Sequence, residues 1–556
     1  MELTLKKQIF GYTSVFLLLV TCMSIGLLYY NDRALIQDRE KISIQAPDSD
    51  KLRGFYYPGT IDAGILLLEG FGADQFMMKG IAYEFHKLGF HVLSFDYSGH
   101  GLSSGSIGFD NAQTDKLALQ VLEVRTRFMT ISGLVGSQIL ILGHSLGSRV
   151  AIQSTLLDND VAGLILLGTQ INLDTNTQSE FFTGVRDADL DWVKSLNGTN
   201  PATDILLISG AWDDILTPNA AQILYEKLGG DSAPYNRDIM IFNHMLHNYE
   251  VYSPRAITYA LNWASDKLGL GFGGISASTM VFRKILWTIG IPSMFLALIL
   301  FNSFLKIKQE TDDRLEKTEK GIIISNPKKF LWGKLLYWLL SLPICVLVAG
   351  ILAMIPIGVP VFNLIYVGFI AGYGIFMLLL YQFRKKKLIP GVEGPFSIKN
   401  ESKITIQNFL LCVGITIAVG ILVTLFARSG IFGLFPLNVR IIWLVLYGLV
   451  TIPAYYIGQI EQDWISDLKS DRTQIISSFH SFIGYIPFFL MAILYLVLGS
   501  LSGLTGAIHG LIIIALVTLV GNSLRYLTKS FLLISVAQSF LLYYLVLPQT
   551  ALFAFF

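Results

Sequence analysis

Residues 139–147 read Ile139-Leu140-Ile141-Leu142-Gly143-His144-Ser145-Leu146-Gly147, a short apolar run followed by the pattern Gly-x-Ser-x-Gly. An unbroken apolar run of this length is typical of a buried parallel strand. Glycines two residues before and two after the serine allow the chain to turn sharply into a helix, and such a turn exposes the serine hydroxyl. The stretch therefore predicts a strand, turn and helix that present Ser145 as a nucleophile, if a base and an acid follow downstream.

The residues around this motif alternate between strand-like and helix-like patterns from Asn31 to about residue 274. Short apolar runs separated by helical segments are typical of a parallel α/β domain, and about 240 residues suits one such domain. We therefore predict a mostly parallel sheet with helices on both faces, in a domain of residues 31–281. The predicted strands are Ile65–Leu68, His91–Phe95, Ile139–Leu142, Val161–Leu167, Ile205–Ile208 and Asp238–Phe242.

Candidates for the base and the acid follow later strands. A serine nucleophile needs a general base, and the base needs an acid that fixes its tautomer. Asp213 follows the fifth predicted strand, with Asp214 as the alternative acid. His244 and His247 follow the last one, and we favour His247 because several loop residues normally separate that strand from the base. The predicted catalytic residues are Ser145, Asp213 and His247, in the chain order expected for this arrangement.

A glycine-rich turn at residues 67–72, Leu-Leu-Glu-Gly-Phe-Gly, follows the first predicted strand. Acyl transfer requires N–H donors for the oxyanion that develops on the substrate. The backbone N–H groups of Phe71 and Leu146 are the predicted donors, because both could point at the same developing negative charge.

Two further polar residues near these motifs are predicted to have structural roles. Asp214, if it is not the acid, is expected to be solvated or to cap the helix that begins near Pro218. His100 lies in a tight turn after a strand and is expected to stabilise that turn.

Taken together, these motifs resemble the α/β-hydrolase superfamily, in particular its monoglyceride-lipase and serine-aminopeptidase-like branch. The resemblance covers residues 52–268, less than half of the chain. It implies a serine hydrolase that cleaves an ester or an amide, with neither metal nor cofactor. The residues that carry it are Leu67–Gly72, Asp96–Ser103, Gly143–Gly147, Gly210–Asp213 and His247.

Glu69 departs from the pattern of this superfamily, whose members usually have histidine before the oxyanion glycine. A carboxylate beside a developing oxyanion would oppose it. We therefore expect Glu69 to point away from the site, to be protonated, or to mark altered chemistry.

The composition predicts that most of the chain lies in lipid. The 556 residues are 53% hydrophobic and 15% charged, with a mean hydropathy of +0.56, which is too apolar for an ordinary soluble enzyme. A net charge of +1 gives no reason to expect a nucleic-acid partner. All three cysteines, Cys22, Cys345 and Cys412, lie in apolar stretches, so neither a disulfide framework nor a metal-ligand spacing is predicted.

Nine segments are apolar and long enough to cross a bilayer. The first, Phe10 to Tyr30, follows Lys6 and Lys7 and is predicted to be a signal anchor within residues 1–30, with a lipoprotein-like cleavage pattern at 19–22 as the alternative. The other eight form a predicted helical membrane domain of residues 282–556. They cover about 285–304, 334–357, 361–382, 406–427, 438–459, 479–500, 503–522 and 530–548.

Clusters of lysine and arginine predict the orientation, because cytoplasmic loops carry the excess. The linker at 306–329 and the run Arg384-Lys385-Lys386-Lys387 would both be cytoplasmic if the amino terminus is cytoplasmic. The α/β domain would then lie on the extracytoplasmic side of the cell membrane. Arg428 and Arg440, which flank a predicted outer loop, fit this scheme least well.

Several other features have two interpretations. A short insertion at 170–203 contains Phe181, Phe182 and Trp192, which would contact an acyl chain or the bilayer, or form the core of a small cap. His480 and His509 lie near predicted span ends and are functional candidates or solvated residues. Three Gly-x-x-x-Gly pairs are expected to allow close helix packing. These begin at Gly368, Gly499 and Gly506.

Three hypotheses for function follow. The leading one is a membrane-bound serine hydrolase that cleaves an ester of a lipid or small molecule at the outer surface of the bilayer. The second is a transporter or lipid-handling protein whose hydrolase-like domain is noncatalytic or gates transport, and the third is a membrane acyltransferase. The predicted partners are the lipid bilayer and the ester substrate, while the oligomeric state stays open.

Overall fold

An eight-stranded sheet forms the core of the amino-terminal half. The structure is a computed structural model that describes residues 2–108, 112–171, 173, 187–312, 323–383, 390–393, 404–434, 439–466, 468, 473–498, 500–528 and 530–554. The strands are β1 (Glu40–Gln45), β2 (Lys51–Tyr57), β3 (Gly64–Leu68), β4 (His91–Asp96), β5 (Ile139–His144), β6 (Gly163–Leu167), β7 (Asp204–Gly210) and β8 (Arg237–Phe242). They lie in the order β1-β2-β4-β3-β5-β6-β7-β8. β2 pairs antiparallel with β1 and β4, and every other neighbouring pair is parallel.

All six predicted strands are confirmed, and two strands were missed. β3 to β8 each overlap their predicted range, because strands buried on both faces are continuous apolar runs that periodicity detects. β1 and β2 lie at one edge of the sheet. In β1 only Ile42 and Ile44 are buried, and its other four residues face outward. This alternation over six residues is a weak signal beside charged neighbours.

Helices cover both faces of the sheet, as predicted. The helices of this half are α1 (Glu2–Asn31), α2 (Arg33–Gln37), α3 (Lys79–Lys87), α4 (Ala112–Ser132), α5 (Leu146–Leu157), α6 (Asp191–Lys194), α7 (Pro218–Lys227) and α8 (Pro254–Lys267). Alternate strand residues point to opposite faces. Leu66 and Leu68 pack with α4, α5 and α7, whereas Ile65 and Leu67 pack with α3 and α8.

Where the structure describes it, the carboxyl-terminal half is mostly helical and contains one short strand pair, β9 (Ile323–Ile324) and β10 (Val392–Glu393). Many of its large apolar side chains are exposed, which is compatible with a lipid-facing surface. Its helices are α9 (Ser278–Asp312), α10 (Pro327–Leu340), α11 (Leu342–Ala353), α12 (Val361–Phe383), α13 (Ile406–Arg428), α14 (Val439–Ser466), α15 (Thr473–Gly484), α16 (Ile486–Val497), α17 (Leu501–Thr528) and α18 (Phe531–Val546).

Seven helices of the described chain, including α1, are long and apolar enough to cross a membrane. The count reaches nine, as predicted, only if each of two bent helix pairs is one span. α10 and α11 meet at 44°, and α15 and α16 meet at 76°. The breaks lie at Ser341 and Tyr485, inside segments that the hydropathy pattern treats as continuous.

Helix α1 packs along α9, so the chain enters and leaves the sheet domain through adjacent helices. The Ser14 hydroxyl donates to the Ala297 carbonyl at 2.9 Å. Just after the end of α1, the buried Asp32 carboxylate forms ion pairs with Lys79 of α3 (2.5 Å) and with Arg283 of α9. The two halves are therefore joined by buried charge as well as by the chain itself.

One of the three predicted glycine pairs mediates close helix packing. A Cβ atom at Gly368 or Gly372 would lie within 3 Å of the backbone of Cys345 in α11, so the prediction for this pair is confirmed. Within the described residues, no atom of another helix lies within 4 Å of a Cβ atom placed at Gly506, so this glycine faces open space there and makes no close helix contact. Gly499 lies outside the described residues.

Candidate active site

Ser145 lies at the sharp turn between β5 and α5. Its backbone φ of 54° is in the left-handed region, which a non-glycine residue adopts only where the surrounding structure imposes it. A Cβ atom at Gly143 would lie 2.4 Å from the Gly147 backbone, and one at Gly147 would lie 2.5 Å from the Leu68 carbonyl oxygen. Neither position of the motif therefore has room for a side chain. The Ser145 N–H donates to the Leu167 carbonyl at 2.9 Å, which ties the turn to the end of β6.

Asp213 and His247 form a buried hydrogen-bonded pair at the same edge of the sheet. His247 Nδ1–H donates to Asp213 Oδ2 at 2.8 Å, and the two residues are only 4% and 3% exposed. The other carboxylate oxygen accepts from the backbone N–H groups of Ile215 and Leu216. These bonds fix the carboxylate, and they leave His247 Nε2 as the nitrogen that can accept a proton.

Gly168 lies between the nucleophile turn and the histidine. A Cβ atom there would approach the His247 ring to 2.9 Å, and the preceding residue, Leu167, is bonded to Ser145. In the described part of the chain the Ser145 hydroxyl and the His247 ring are not joined by a hydrogen bond. Catalytic hydrogen bonds often tighten only when substrate binds. The structure thus brings the three predicted residues to one edge and aligns two of them.

The predicted oxyanion turn lies beside Ser145. A Cβ atom at Gly70 would be 3.4 Å from Ser145 Cβ, and one at Gly147 would be 2.5 Å from the carbonyl oxygen of Leu68 at the end of β3. Leu146 is the first residue of α5, where a backbone N–H has no acceptor within the helix. The turn that contains Phe71 and the start of α5 are therefore adjacent, as two oxyanion donors require.

Glu69 points away from this turn, into the core. Its Oε1 accepts from the Tyr97 N–H at 3.0 Å, and the side chain is fully buried. Burial, reinforced by the negative charges of Asp96 and Asp74, raises the pKa of Glu69 well above its ordinary value of 4.5. Two of the three expectations for Glu69 therefore hold together: it faces away from the site, and its raised pKa favours the neutral form.

We expect Glu69→Gln to retain activity within about threefold and to change how stability depends on pH. Native Glu69 keeps a proton that the unfolded chain releases above about pH 4.5, so its contribution to the free energy of unfolding falls as pH rises through that window. Glutamine cannot ionise, so the variant should lose less stability between pH 5 and 8. Melting temperatures across that range measure this, and a tenfold loss of activity would instead assign Glu69 to the chemistry.

His100 supports the oxyanion turn from the other side. Its Nε2 accepts from the Gly72 N–H at 3.1 Å, and its Nδ1–H donates to the Ser98 carbonyl at 3.2 Å. Burial lowers the pKa of His100 to about 4, so the ring is neutral as these two bonds require. The predicted structural role is confirmed, with the added detail that the stabilised turn includes Gly72.

Residues of the carboxyl-terminal half hold the loop that contains His100. The guanidinium of Arg440, at the start of α14, donates to the carbonyls of Gly99 (2.7 Å), Gly101 (3.2 Å) and Thr550 (2.8 Å). The Leu552 N–H also donates to the Gly99 carbonyl at 2.9 Å. Arg440 is 1% exposed. The loop is therefore fixed by buried contacts from the far end of the chain.

The carboxyl-terminal segment 550–553 continues this contact to the oxyanion turn. The Phe553 ring lies 5.6 Å from the Phe71 ring, and the backbone of Phe553 pairs with Ile107 and Val359. Arg428 likewise faces the sheet domain, with its guanidinium over the Phe76 ring. The two arginines that fit the charge pattern least well thus both contact the sheet domain.

The alternative acid and base lie elsewhere. His244 is exposed and packs against Trp212, with ring centroids 4.6 Å apart. Of the two roles expected for Asp214, capping of the helix near Pro218 belongs to Thr217, whose hydroxyl accepts from the Ala220 N–H. In the predicted cap, Trp192 lies 5.1 Å from the Arg149 guanidinium. Phe181 and Phe182 lie outside the described residues.

Sequence reasoning missed Glu250 and His144. Glu250 is fully buried, accepts from the Gly210 N–H through Oε1, and places Oε2 3.9 Å from His247 Nδ1. Burial and the charge of Asp213 raise the pKa of Glu250 well above 4.5, which favours the neutral form of Glu250. The His144 ring stacks on His247 with centroids 4.9 Å apart. No pattern in the sequence distinguishes Glu250 from a solvated loop acid.

His144, His247 and Glu250 have potential metal-ligating atoms within 4.8 Å of one another. The Nδ1 atom of His247 already donates to Asp213, and the Nε2–H of His144 donates to the His247 carbonyl at 3.2 Å. A metal on these atoms would break the Asp213 pair. The donor set therefore fits a histidine held for proton transfer better than a metal centre.

Comparison with known proteins agrees with the fold of this half. Residues 59–200 match the family model described as serine aminopeptidase, S33. No curated protein sequence matches the chain. Similar solved structures include an esterase from Pyrococcus furiosus, at 17% identity over 41% of this chain and 89% of that chain (TM-score 0.32).

Two others are a thermophilic esterase from Thermogutta terrifontis and an esterase from Exiguobacterium antarcticum. The first is 17% identical over 41% of this chain and 99% of that chain, with a TM-score of 0.33. The second is 16% identical over 41% and 100%, also with a TM-score of 0.33. The family match and the parallel sheet together support a hydrolase domain of the α/β-hydrolase type, followed by a helical region with several apolar helices.

Proposed function

We propose that the chain is a membrane-bound serine hydrolase that cleaves an ester through an acyl-enzyme. The observation that carries the proposal is the buried His247–Asp213 pair, 2.8 Å apart, at the sheet edge where Ser145 occupies a left-handed turn. A strained serine beside an oriented histidine is the combination that activates a hydroxyl for acyl transfer.

In the proposed reaction, Ser145 Oγ attacks the ester carbonyl and its proton passes to His247 Nε2. Asp213 holds the histidine in the tautomer that leaves Nε2 free and stabilises the imidazolium that forms. The N–H groups of Phe71 and Leu146 bind the oxyanion. His247 then protonates the leaving alcohol, and a water molecule activated by the same histidine hydrolyses the acyl-enzyme.

We propose that residues 31–281 lie outside the membrane, between the anchor at 1–30 and the helical domain at 282–556. Apolar helices of spanning length and the lysine-rich linkers support this arrangement. The bonds of Arg440 to the loop at 99–101 and the contact of Phe553 with Phe71 support a site that lies next to the membrane half. An ester presented at the lipid surface is therefore the proposed substrate.

Fluorophosphonate labelling tests the proposal, because such probes react with an activated serine. Ser145→Ala should remove all labelling and reduce ester hydrolysis by at least about 10³-fold. Ser154→Ala is the matched control, since Ser154 is buried in α5, the helix that follows Ser145, and its hydroxyl donates to the Ala151 carbonyl. Labelling that survives Ser145→Ala would contradict the assignment, and hydrolysis of amides rather than esters would correct the substrate class.

A further inference from the structure

A cluster of ionisable residues is buried inside the carboxyl-terminal half. Lys334 of α10, Glu461 of α14 and His480 of α15 are 3%, 0% and 3% exposed. Glu461 Oε2 lies 2.5 Å from Lys334 Nζ and 2.6 Å from His480 Nε2, and Glu461 Oε1 accepts from the Tyr381 hydroxyl at 3.1 Å. Burying such groups among apolar helices is costly, so they are expected to serve a function. His480 is therefore not the solvated residue that the sequence allowed.

Lys334 and His480 also line a cavity at the two helix breaks. The cavity has a volume of about 100 Å³, and about 820 Å³ when the open space at its mouth is counted. Its wall includes Lys334 and Trp338 from the bent pair α10 and α11, and Gly484 and Tyr485 from the sharper break between α15 and α16. Helices of a membrane protein are interrupted where the freed backbone lines a cavity, and ligand sites are formed at such interruptions.

The cavity wall includes buried polar atoms that have no hydrogen-bond partner within the described chain. Among them are the Tyr373 hydroxyl and Gln459 Oε1, in side chains only 6% and 7% exposed. Buried polar atoms are nearly always bonded, so atoms that are not bonded call for a ligand or water. Both residues lie on the helices that face the ion cluster, α12 and α14.

The wall is polar and aromatic but carries no unbalanced charge. Lys334 is the charged residue of the wall, and its ammonium is paired with Glu461. His480 is the other titratable residue of the wall. The remaining polar side chains are mostly amides and hydroxyls, which both donate and accept hydrogen bonds and therefore suit ligand hydroxyls. Aromatic side chains that can pack against the C–H face of such a ligand are Trp338, Tyr485 and Phe488.

We propose that this cavity binds a small uncharged polyol, independently of the hydrolase site. The unpartnered Tyr373 hydroxyl and Gln459 carbonyl bind ligand hydroxyls, and the aromatic wall covers the apolar face. The Lys334–Glu461–His480 cluster supplies a rigid polar floor whose charges are already balanced. A charged ligand would have to compete with the bond between Lys334 and Glu461.

Equilibrium binding of radiolabelled sugars to the full-length protein in detergent tests the proposal. Glucose, glucosamine and glucuronate share one ring and differ in charge, and myo-inositol is a second neutral probe. We expect the neutral probes to bind and the charged ones to bind at least tenfold more weakly. Tyr373→Phe and Gln459→Leu should each weaken neutral binding at least tenfold.

Tyr447→Phe is the matched control, because Tyr447 is on α14, is fully buried and has an unpartnered hydroxyl, yet it does not line the cavity. It should leave binding unchanged. Failure of both neutral probes to bind a protein that still reacts with fluorophosphonate would overturn the proposal, as would equal binding of the charged sugars. Equal effects of Tyr373→Phe and Tyr447→Phe would also overturn it. Because Ser145 labelling is read separately, failure here leaves the hydrolase proposal standing.

Discussion

We expect Asp213→Asn to lower kcat for ester hydrolysis by about 10⁴-fold while changing KM little. The amide oxygen can replace Oδ1 and keep the bonds from the Ile215 and Leu216 N–H groups, so the loop should stay in place. Its NH₂ group would then face His247 Nδ1, where the carboxylate now accepts. The histidine would have to accept at Nδ1 and carry its proton on Nε2, and Nε2 could no longer take the proton of Ser145.

Asp214→Asn and His244→Ala are the matched controls for this prediction. Asp214 is the adjacent acid, and His244 is exposed against Trp212, so both variants should retain activity within about threefold. His247→Ala should match Asp213→Asn or exceed it. A loss of equal size from Asp214→Asn would show that the neighbouring carboxylate performs the role assigned to Asp213. Steady-state kinetics with one soluble short-chain ester compares all four variants.

The residues of the site that could be predicted from the sequence are those that directly follow a strand. A parallel sheet brings the carboxyl ends of its strands to one edge. Ser145 after β5 and Asp213 after β7 therefore had to lie near each other once the strands were recognised. The choice of His247 over His244 depended only on loop length, and the structure places His247 beside Asp213.

The parts that could not be predicted depend on contacts between distant residues. Arg440 and Gly99 are 341 positions apart, and no pattern in either segment shows that they meet. The helix breaks at Ser341 and Tyr485 were missed because an apolar segment reads as continuous whether or not its helix bends. Glu250 is distinguished only by burial, which three-dimensional packing decides.

The second large effect is expected at Arg440, in the carboxyl-terminal half. Arg440→Met would leave the carbonyls of Gly99, Gly101 and Thr550 without their charged donor in a buried contact. An unpaired buried acceptor costs about 1–3 kcal/mol. We therefore expect a lower melting temperature and a displaced loop around His100, whose ring accepts from the Gly72 N–H.

Displacement of the His100 loop would shift the oxyanion turn bonded to it through Gly72. We expect kcat to fall by about 10²-fold at temperatures where the variant is still folded, because one misplaced oxyanion donor has an effect of this size. The effect acts through the position of Phe71, so KM should change less than kcat. Arg440→Lys should restore part of the rate. Arg525→Met removes an arginine of the same half that pairs with Asp463 at 3.3 Å and should leave kcat unchanged. If Arg440→Met lowers the melting temperature but hydrolyses the ester at the rate of the unchanged protein, then the carboxyl-terminal half stabilises the hydrolase domain without positioning its oxyanion turn.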